Sequence, residues 1–357
     1  MRVLDLSRVL AGPLCTMMLG DMGADVIKIE KPGTGDETRG WGPPFDDRGE
    51  SAYYLSVNRN KKSMAADLEL TADRNVVLDL IRTADVVVDN FRRGALERRG
   101  IVPERLLQEH NRLVWCTISG FGADSDRAGY DLVVQAESGW MSITGDPNGE
   151  PTRVGVALAD IIAGKDAAIA ILAALASRDR NATDRRIFIS LAHSATAALI
   201  NVAQNSLVTG KDATRWGNEH PNLVPYQPFR TADRTMIIAI GTDAQWIQCA
   251  NALGLRELAN DPALKTNAGR IAERRRIVDA MSERLVERPA GEWIALLSEK
   301  AVPCGLVNSV LEALLSVETS PLTGISPSVP GEVRLPPPRL NEHGAQVREH
   351  GWSAFPR

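Results

Sequence analysis

Cysteine is scarce in this 357-residue chain: Cys15, Cys116, Cys249 and Cys304 stand far apart, with no CxxC spacing and no nearby histidine pair. That argues against a disulfide framework and a zinc site, and it suits a reducing cytoplasm. No base and orienting group accompany any of the four, so they are expected to be small buried hydrophobes. A long membrane-spanning run is also missing. Residues 9–20 carry no charge but are short and interrupted by Gly12 and Pro13, which does not make a signal peptide. Residues 187–210 lack acidic and basic side chains yet hold Ser190, His193, Ser194, Asn201, Gln204, Asn205 and Ser206 among others, so a buried helix is expected rather than a lipid-facing one. There is no GxGxxG, since the first turn reads SRVLAGP, and no GxSxG. Usual dinucleotide binding and serine hydrolysis are therefore disfavoured. His193-Ser194 reads as a packed, hydrogen-bonded pair, and His110 and His350 as exposed. Excess positive charge is absent too: 41 basic against 45 acidic residues give −4, which speaks against nucleic acid as a main partner. Lysine is rare among the basic residues, 8 against 33 arginines. Codon bias accounts for that, and so would an anionic ligand suited to the guanidinium fork.

What is present is an ordinary globular composition, 44% apolar and 24% charged. The length suggests two domains. The first third alternates strands and helices. Strands are expected at 3–6, 25–30 (DVIKIE), 63–68, 85–89 (DVVVD) and 113–119, and helices at 13–22, 71–84 with Thr71 suited to capping, 95–99 and 103–111. Repeated strand–helix–strand units imply an α/β fold, a Rossmann-like parallel sheet covered on both faces. Its ligand loops are residues 7–12, 31–48, 90–94 and 119–130, beyond the carboxyl ends of the strands. An apolar helix is expected at 167–176 and a strand at 187–190. From about Trp216 the texture becomes that of a smaller α+β domain. Expected bounds are 1–200 for the large domain, 215–320 for the small one, and 321–357 for a tail returning to the first.

Three basic segments are candidates for phosphate binding: GTGDETR (33–39), NRNKK (58–62) and NFRRG (90–94). Each alone reads equally as a solvated turn; three near one sheet edge would suit a multiply phosphorylated ligand. The most pointed feature is ALADIIAG (157–164). Asp160 is the one charge between Val154 and Gly164. A carboxylate in an apolar run must be paired or hydrogen-bonded. It serves either as a helix cap or as a nucleophile forming acyl intermediates.

Together these stretches resemble the class III CoA-transferases, the CaiB/BaiF family that includes formyl-CoA and carnitine CoA-transferases. The likeness is carried by VLDLSRVLAGPLCTMMLGDMGADVIKIEKPGTGDETRGW, NRNKKSMAADL, ADVVVDNFRRGAL and GEPTRVGVALADIIAGKDAAIAILAAL, and further on by HPNLVPYQPFRTADRTMIIAIG and PPPRLNEHG. The resemblance implies a CoA-transferase moving CoA from an acyl-CoA to a carboxylic acid, with Asp160 as catalytic nucleophile and aspartyl-acyl anhydride and aspartyl-CoA thioester intermediates. It implies CoA contacts at Val9, Leu10, Ala11, Lys31, Ala66, Asn90 and Arg98, with Arg39 as an additional one. CoA and acyl-CoA are substrates; no permanently bound cofactor and no metal is expected, and the partners are small acids and a second copy in an interlocked homodimer. The same family holds α-methylacyl-CoA racemases, which pair the aspartate with a histidine where this chain has Tyr130, a poor base near neutral pH. That favours the transferase; a CoA-thioester-binding protein without turnover is the further alternative. Departures from the family pattern are the missing short leading segment, a polar connection at 178–186 in place of a Thr-Gly-x-Gly turn, and no glycine-rich active-site loop, whose place Tyr226-Gln227 is expected to take.

Overall fold

The computed structural model describes residues 1–177 and 185–355. The chain divides into two compact units. The first takes Met1–Met141, Arg153–Ala213 and everything from Val317 onward; the second takes Ser142–Thr152 and Thr214–Ser316.

A wholly parallel six-stranded sheet forms the first unit, in the order β3-β2-β1-β4-β5-β6. The strands are β1 (Arg2–Asp5), β2 (Asp25–Glu30), β3 (Lys61–Ala65), β4 (Val86–Asp89), β5 (Val114–Ser119) and β6 (Arg186–Ser190). The helices up to residue 209 are α1 (Ala11–Asp21), α2 (Ala52–Leu55), α3 (Thr71–Arg82), α4 (Pro103–Glu109), α5 (Asp131–Glu137), α6 (Trp140–Ile143), α7 (Leu158–Ser177), α8 (Leu191–Ala197) and α9 (Asn201–Thr209). The valine run of β4 shows why the sheet is doubly covered. Val87 points into a cluster with Leu4, Ile27, Ile81 and Trp115. Val86 and Val88 point the other way, toward Cys15 and Leu19 of α1 and Ala163 and Ala167 of α7. A strand buried on both faces has no polar side to present, and each such valine contributes about 1.5 kcal/mol or more by burial.

The helix over α1 is unusually close. Ala159, Ala163, Ala167 and Ile171 form a fully buried stripe at four-residue spacing along α7. A Cβ on Gly164 would lie 2.6 Å from the Ala11 carbonyl oxygen, and one on Gly12 would lie 2.3 Å from the Ser7 side chain. Only glycine fits either position without displacing backbone.

The second unit carries an antiparallel sheet of β7 (Tyr226–Arg230), β8 (Thr235–Ala239) and β9 (Cys304–Leu306). Against it lie α10 (Asp243–Ala252), α11 (Arg256–Asn260), α12 (Asn267–Ala272), α13 (Arg274–Leu285) and α14 (Ala290–Glu299), followed by the short α15 (Val310–Leu314). Trp246, Trp293, Ile277 and Met281 are fully buried at its centre. Thr242 and Gln245 close a reciprocal capping box at the start of α10.

After residue 317 the chain runs along the open edge of β3. Ala65 N–H donates to Asn341 Oδ1 at 2.9 Å, and His343 N–H donates to the Ser63 carbonyl at 3.0 Å. α16 (Gly344–His350) follows. Lys62 Nζ donates to the Ala354 carbonyl at 2.6 Å. An exposed parallel edge is thereby covered.

Three expectations need correction. Leu70, not Thr71, holds the cap position of α3, and no side chain caps it. Residues 187–210 are not one buried helix but the end of β6, then α8 and α9. The break falls at Ile200, whose φ of +43° cannot continue a helix. α9 buries no side chain, and Leu207 and Val208 are exposed. His193 is exposed; its neighbour Ser194 donates to Asp166 at 2.6 Å instead. Among the described residues no helix is long and apolar enough to cross a membrane.

Candidate active site

The strand order reverses between β1 and β4, so the loops after these strands diverge and leave a crevice at the carboxyl end of the sheet. Asn90 ties the two loops together: its Oδ1 accepts from the Arg8 N–H at 3.0 Å and its Nδ2 donates to the Arg8 carbonyl at 2.7 Å. The next residue, Val9, has φ +73°. A β-branched side chain rarely adopts that conformation, at a cost of about 1–3 kcal/mol. The surroundings enforce it. The Val9 N–H is shared by both Asp36 carboxylate oxygens at 3.3 Å. Asp36 pairs with Lys28 at 3.0 Å, and the Lys28 ammonium also donates to the Ser7 carbonyl at 2.8 Å. Beneath them Asp5 accepts from Lys61 at 3.0 Å and Thr16 Oγ1 at 2.7 Å, and from the backbone and hydroxyl of Ser7.

These are fully buried charges, and their titration follows from who faces whom. Burial would raise the Asp5 carboxyl, but Lys61 and Lys28 outweigh it and hold it well below the usual carboxylate range. Burial likewise would discharge Lys28; Asp36 and Asp5 outweigh it and raise its pKa. Lys61 shares Asp5 with Lys28, and burial together with that second ammonium lowers it to about 8.

Asp160 lies in the first turn of α7, one turn before Gly164 and so on the face that approaches Ala11. A helix N-terminus favours an anion. Burial nonetheless pushes the Asp160 carboxyl up to about 7, and the carboxylate of Asp131 adds to the rise. Tyr53 of α2 is pushed up to about 12 by burial and then by Asp160 and Asp131, so it keeps its phenolic proton beside them. Trp41 packs edge-on against it, ring centroids 5.1 Å apart. The buried thiols are no competitors as nucleophiles: burial raises Cys15, and pushes Cys116 and Cys249 up to about 12.

Two clefts open at this end of the sheet. One, about 520 Å³, is lined by Val9, Leu10, Ala11, Asn90 and Asp160 among others. The second, about 590 Å³, is lined by Lys31, Ala66 and Arg98 among others. Arg8, Phe91 and Arg92 line both, so the two clefts adjoin at these side chains.

Residues 1–344 match CoA-transferase family III. The chain is 39% identical to the succinate–glutarate CoA-transferase of Agrobacterium fabrum over 97% of this chain and 93% of that protein. It is 39% identical to succinyl-CoA:glutarate CoA-transferase of Homo sapiens over 97% and 84%. It is 35% identical to acetyl-CoA:oxalate CoA-transferase of Acetobacter aceti over 97% and 94%. A CaiB/BaiF family protein from Brucella suis superposes with a TM-score of 0.86 at 37% identity, covering 98% of this chain and 97% of that one. The chain belongs to CoA-transferase family III.

Of the site residues predicted for this transferase, Asp160, Val9, Leu10, Ala11 and Asn90 line the first cleft, and Lys31, Ala66 and Arg98 the second. Leu10, Ala11 and Ala66 are buried, so they shape walls. Asn90 is occupied with the Arg8 backbone. Lys31 and Arg98 are exposed and form no ion pair among the described residues. Arg39 departs from the expectation: it lines neither cleft. Its guanidinium is buried, paired with Glu30 at 2.8 Å and Glu50 at 2.7 Å, and stacked 3.7 Å over the Tyr54 ring. The group is turned inward to these partners and away from both clefts. The NRNKK segment fails for the same reason. Arg59 pairs with Asp21 at 2.7 Å, and Lys61 and Lys62 are turned inward to Asp5 and the Ala354 carbonyl. The NFRRG segment does reach the site, since Phe91 and Arg92 line both clefts, while Arg8 in the 7–12 loop was not singled out as a contact. Tyr226 and Gln227 lie on β7 of the second unit, whereas both clefts are lined wholly by the first. Most of the 178–186 connection lies outside the described residues.

Proposed function

We propose that Asp160 is the nucleophile of this class III CoA-transferase and that its acyl groups derive from dicarboxylic acids. An Asp160 carboxylate oxygen attacks the thioester carbonyl; the C–S bond breaks, leaving an aspartyl-acyl anhydride and CoA thiolate. The thiolate attacks the aspartyl carbonyl, the donor acid departs as carboxylate, and an aspartyl-CoA thioester remains. The acceptor carboxylate attacks that carbonyl and releases the thiolate, giving a second anhydride. Thiolate attack on the acceptor's acyl carbonyl then returns Asp160 as carboxylate. Thioester is exchanged for thioester, so the cycle needs no net energy input, but either intermediate must be shielded from water. The first N–H groups of α1 have no partner within the helix and can stabilise the oxyanions.

The observation that carries the reading is the placement of Asp160: a carboxyl group with a raised pKa, in the first turn of a helix, on a cleft at the switch point of a parallel sheet. Lys31 and Arg98 suit the phosphates of CoA, and Val9, Leu10, Ala11 and Asn90 its passage toward Asp160. Dicarboxylic substrates are suggested by the succinate, glutarate and oxalate in the relatives' names. Along the first cleft Arg92, which forms no ion pair among the described residues, offers a cation for a second carboxylate, whereas Arg8 and Arg186 are paired with Glu37 and Glu104. We further infer a cytoplasmic homodimer. Exposed Ile200, Leu207 and Val208 around α9 favour a partner surface, and sedimentation at low micromolar concentration tests it.

Incubation with succinyl-CoA, trapping with hydroxylamine or borohydride and peptide mapping tests the nucleophile. Modification at Asp160, absent from Asp160→Ala, is the expected result. α-Proton exchange with solvent in the absence of an adduct would make the protein a racemase; thioester binding with neither reaction would make it a binder. A panel of mono- and dicarboxylic acceptors tests the acid class.

A further inference from the structure

Asp160 owes its position to side chains that lie outside its own helix. Leu158–Ser177 opens with backbone N–H groups that have no partner within the helix; that of Leu158 donates back to the Val156 carbonyl at 2.8 Å. The Ala159 N–H, one residue before Asp160, donates to Asp131 Oδ1 at 2.8 Å. The other oxygen of Asp131 accepts from Gln135 Nε2 at 2.6 Å. Gln135 sits one turn further along α5 and is fully buried. It grips the approach to α7 twice: its Oε1 accepts from the Val154 N–H at 2.8 Å, and its Nε2 donates to the Val156 carbonyl at 3.2 Å. Two side chains on the same face of α5 therefore hold residues 154–159 and cap α7 from another element.

The same arrangement sets the charge around Asp160. The groups that face it are Asp131 from α5 and Tyr53 from α2, a phenol that keeps its proton. The start of α1 meets α7 through Ala11 and Gly164 and brings no side-chain charge. Asp131 therefore opposes the helix N-terminus: it repels the free carboxylate. Acylation turns Asp160 into a neutral anhydride or thioester carbonyl and abolishes that repulsion, so the like charge favours the covalent states over the free one.

We propose that Asp131 and Gln135 are positioning residues for Asp160, a clamp that holds the first turn of its helix and directs a like charge at its carboxylate. The inference rests on Asp160 being the nucleophile. It is tested with Asp131→Asn and Gln135→Met, each assayed for kcat, KM and the pH profile of kcat/KM and trapped with hydroxylamine beside wild type. Both variants are expected to lose kcat by about ten- to a hundredfold, the scale of a misplaced reacting group, with KM for the acyl-CoA little changed. Asp131→Asn alone should also move the pH midpoint downward, by about one unit. Should Asp131→Asn fail to fold, the kcat loss in folded Gln135→Met decides. The proposal is overturned if wild type is trapped at Asp160 while both variants keep kcat within about twofold and the midpoint stays put. Lower melting temperature with normal kcat in the folded fraction overturns it too, since that is the mark of a structural role only. Failure to trap Asp160 in wild type removes the nucleophile reading, and this inference with it.

Discussion

If Asp160 attacks as a carboxylate, the rate must follow its titration, and that titration is displaced to an unusual place. An aspartate at its ordinary 3.8 would be ionised throughout pH 5.5–9, and the profile would be flat; at about 7, only about a tenth is ionised at pH 6 and about a hundredth at pH 5. The expected profile of kcat/KM is therefore a plateau above pH 8 and a fall of about tenfold per unit below pH 7. Two causes underlie the displacement, burial first and Asp131 second. The 3′-phosphate of CoA titrates near pH 6 as well, so the assay pairs a CoA thioester with its 3′-dephospho analogue. A midpoint shared by both substrates belongs to the enzyme. Saturating kcat, measured alongside, reports the bound complex, where substrate excludes more water and the midpoint should stand no lower. A profile flat from pH 5.5 to 8, with the protein folded throughout, would refute the reasoning: either Asp160 is not the nucleophile or its carboxyl is not desolvated.

The same displacement has a cost in stability. The folded carboxyl sits about three units above its unfolded value, so folding is penalised by about 4 kcal/mol at most above pH 7, and the penalty disappears below pH 3.8. Asp160→Asn should therefore gain stability over wild type at pH 8 and much less at pH 5; a melting-temperature difference independent of pH would contradict this. Gly164→Ala places a methyl 2.6 Å from the Ala11 carbonyl and should cost about 1–3 kcal/mol as well as kcat, whereas Gly291→Ala, with nothing within 4 Å, should gain up to about 1 kcal/mol with kcat unchanged. Arg98→Ala should raise KM for CoA thioesters by about tenfold or more, losing one charge-assisted phosphate contact. Arg39→Ala should instead lower the melting temperature strongly, because it strands Glu30 and Glu50, and thermal unfolding beside steady-state kinetics separates the two cases.

The sheet was legible where its strands are runs of β-branched residues. DVIKIE is a strand from Asp25 to Glu30 as read, and DVVVD differs by one residue. β3 begins two residues earlier than expected, at Lys61, because two lysines do not look like the start of a buried strand. What neutralises them is remote: Asp5 for one, and the Gln346 side chain and Ala354 carbonyl for the other. Local periodicity carries no trace of partners 56 or 292 residues away. The arginine excess has a similar explanation, missed by both sequence readings. Arg185 donates to the carbonyls of Leu107, His110 and Leu113, and Arg59 to that of Thr323 as well as to Asp21. A planar fork with five donors can gather several carbonyls at a loop end, which a lysine ammonium does less well. Much of the excess is therefore built into the fold rather than turned toward a ligand.

Asp160 could be picked out because an isolated acid among small apolar residues is costly unless something compensates. Its compensation could not, since Asp131 lies 29 positions earlier, just past the loop at 119–130. Val9 is the sharper case. Valine prefers extended backbone, and nothing local predicts a left-handed one. The conformation is dictated by charges that look like solvated surface in the sequence: Asp36 in a glycine-rich turn and Lys28 in a strand. Buried together, they hold the loop that separates the two clefts. Losing the Lys28 charge would leave Asp36 and Asp5 short of a partner, a loss of about 3–5 kcal/mol, larger than the strain at Val9 that the pair sustains. The first residues of the cleft are thus fixed from below, through a network of buried charges of which Lys28 and Asp36 also border the second cleft. That is why substitution at Asp36 should alter thioester KM even though its carboxylate is turned to the Val9 N–H and the Lys28 ammonium.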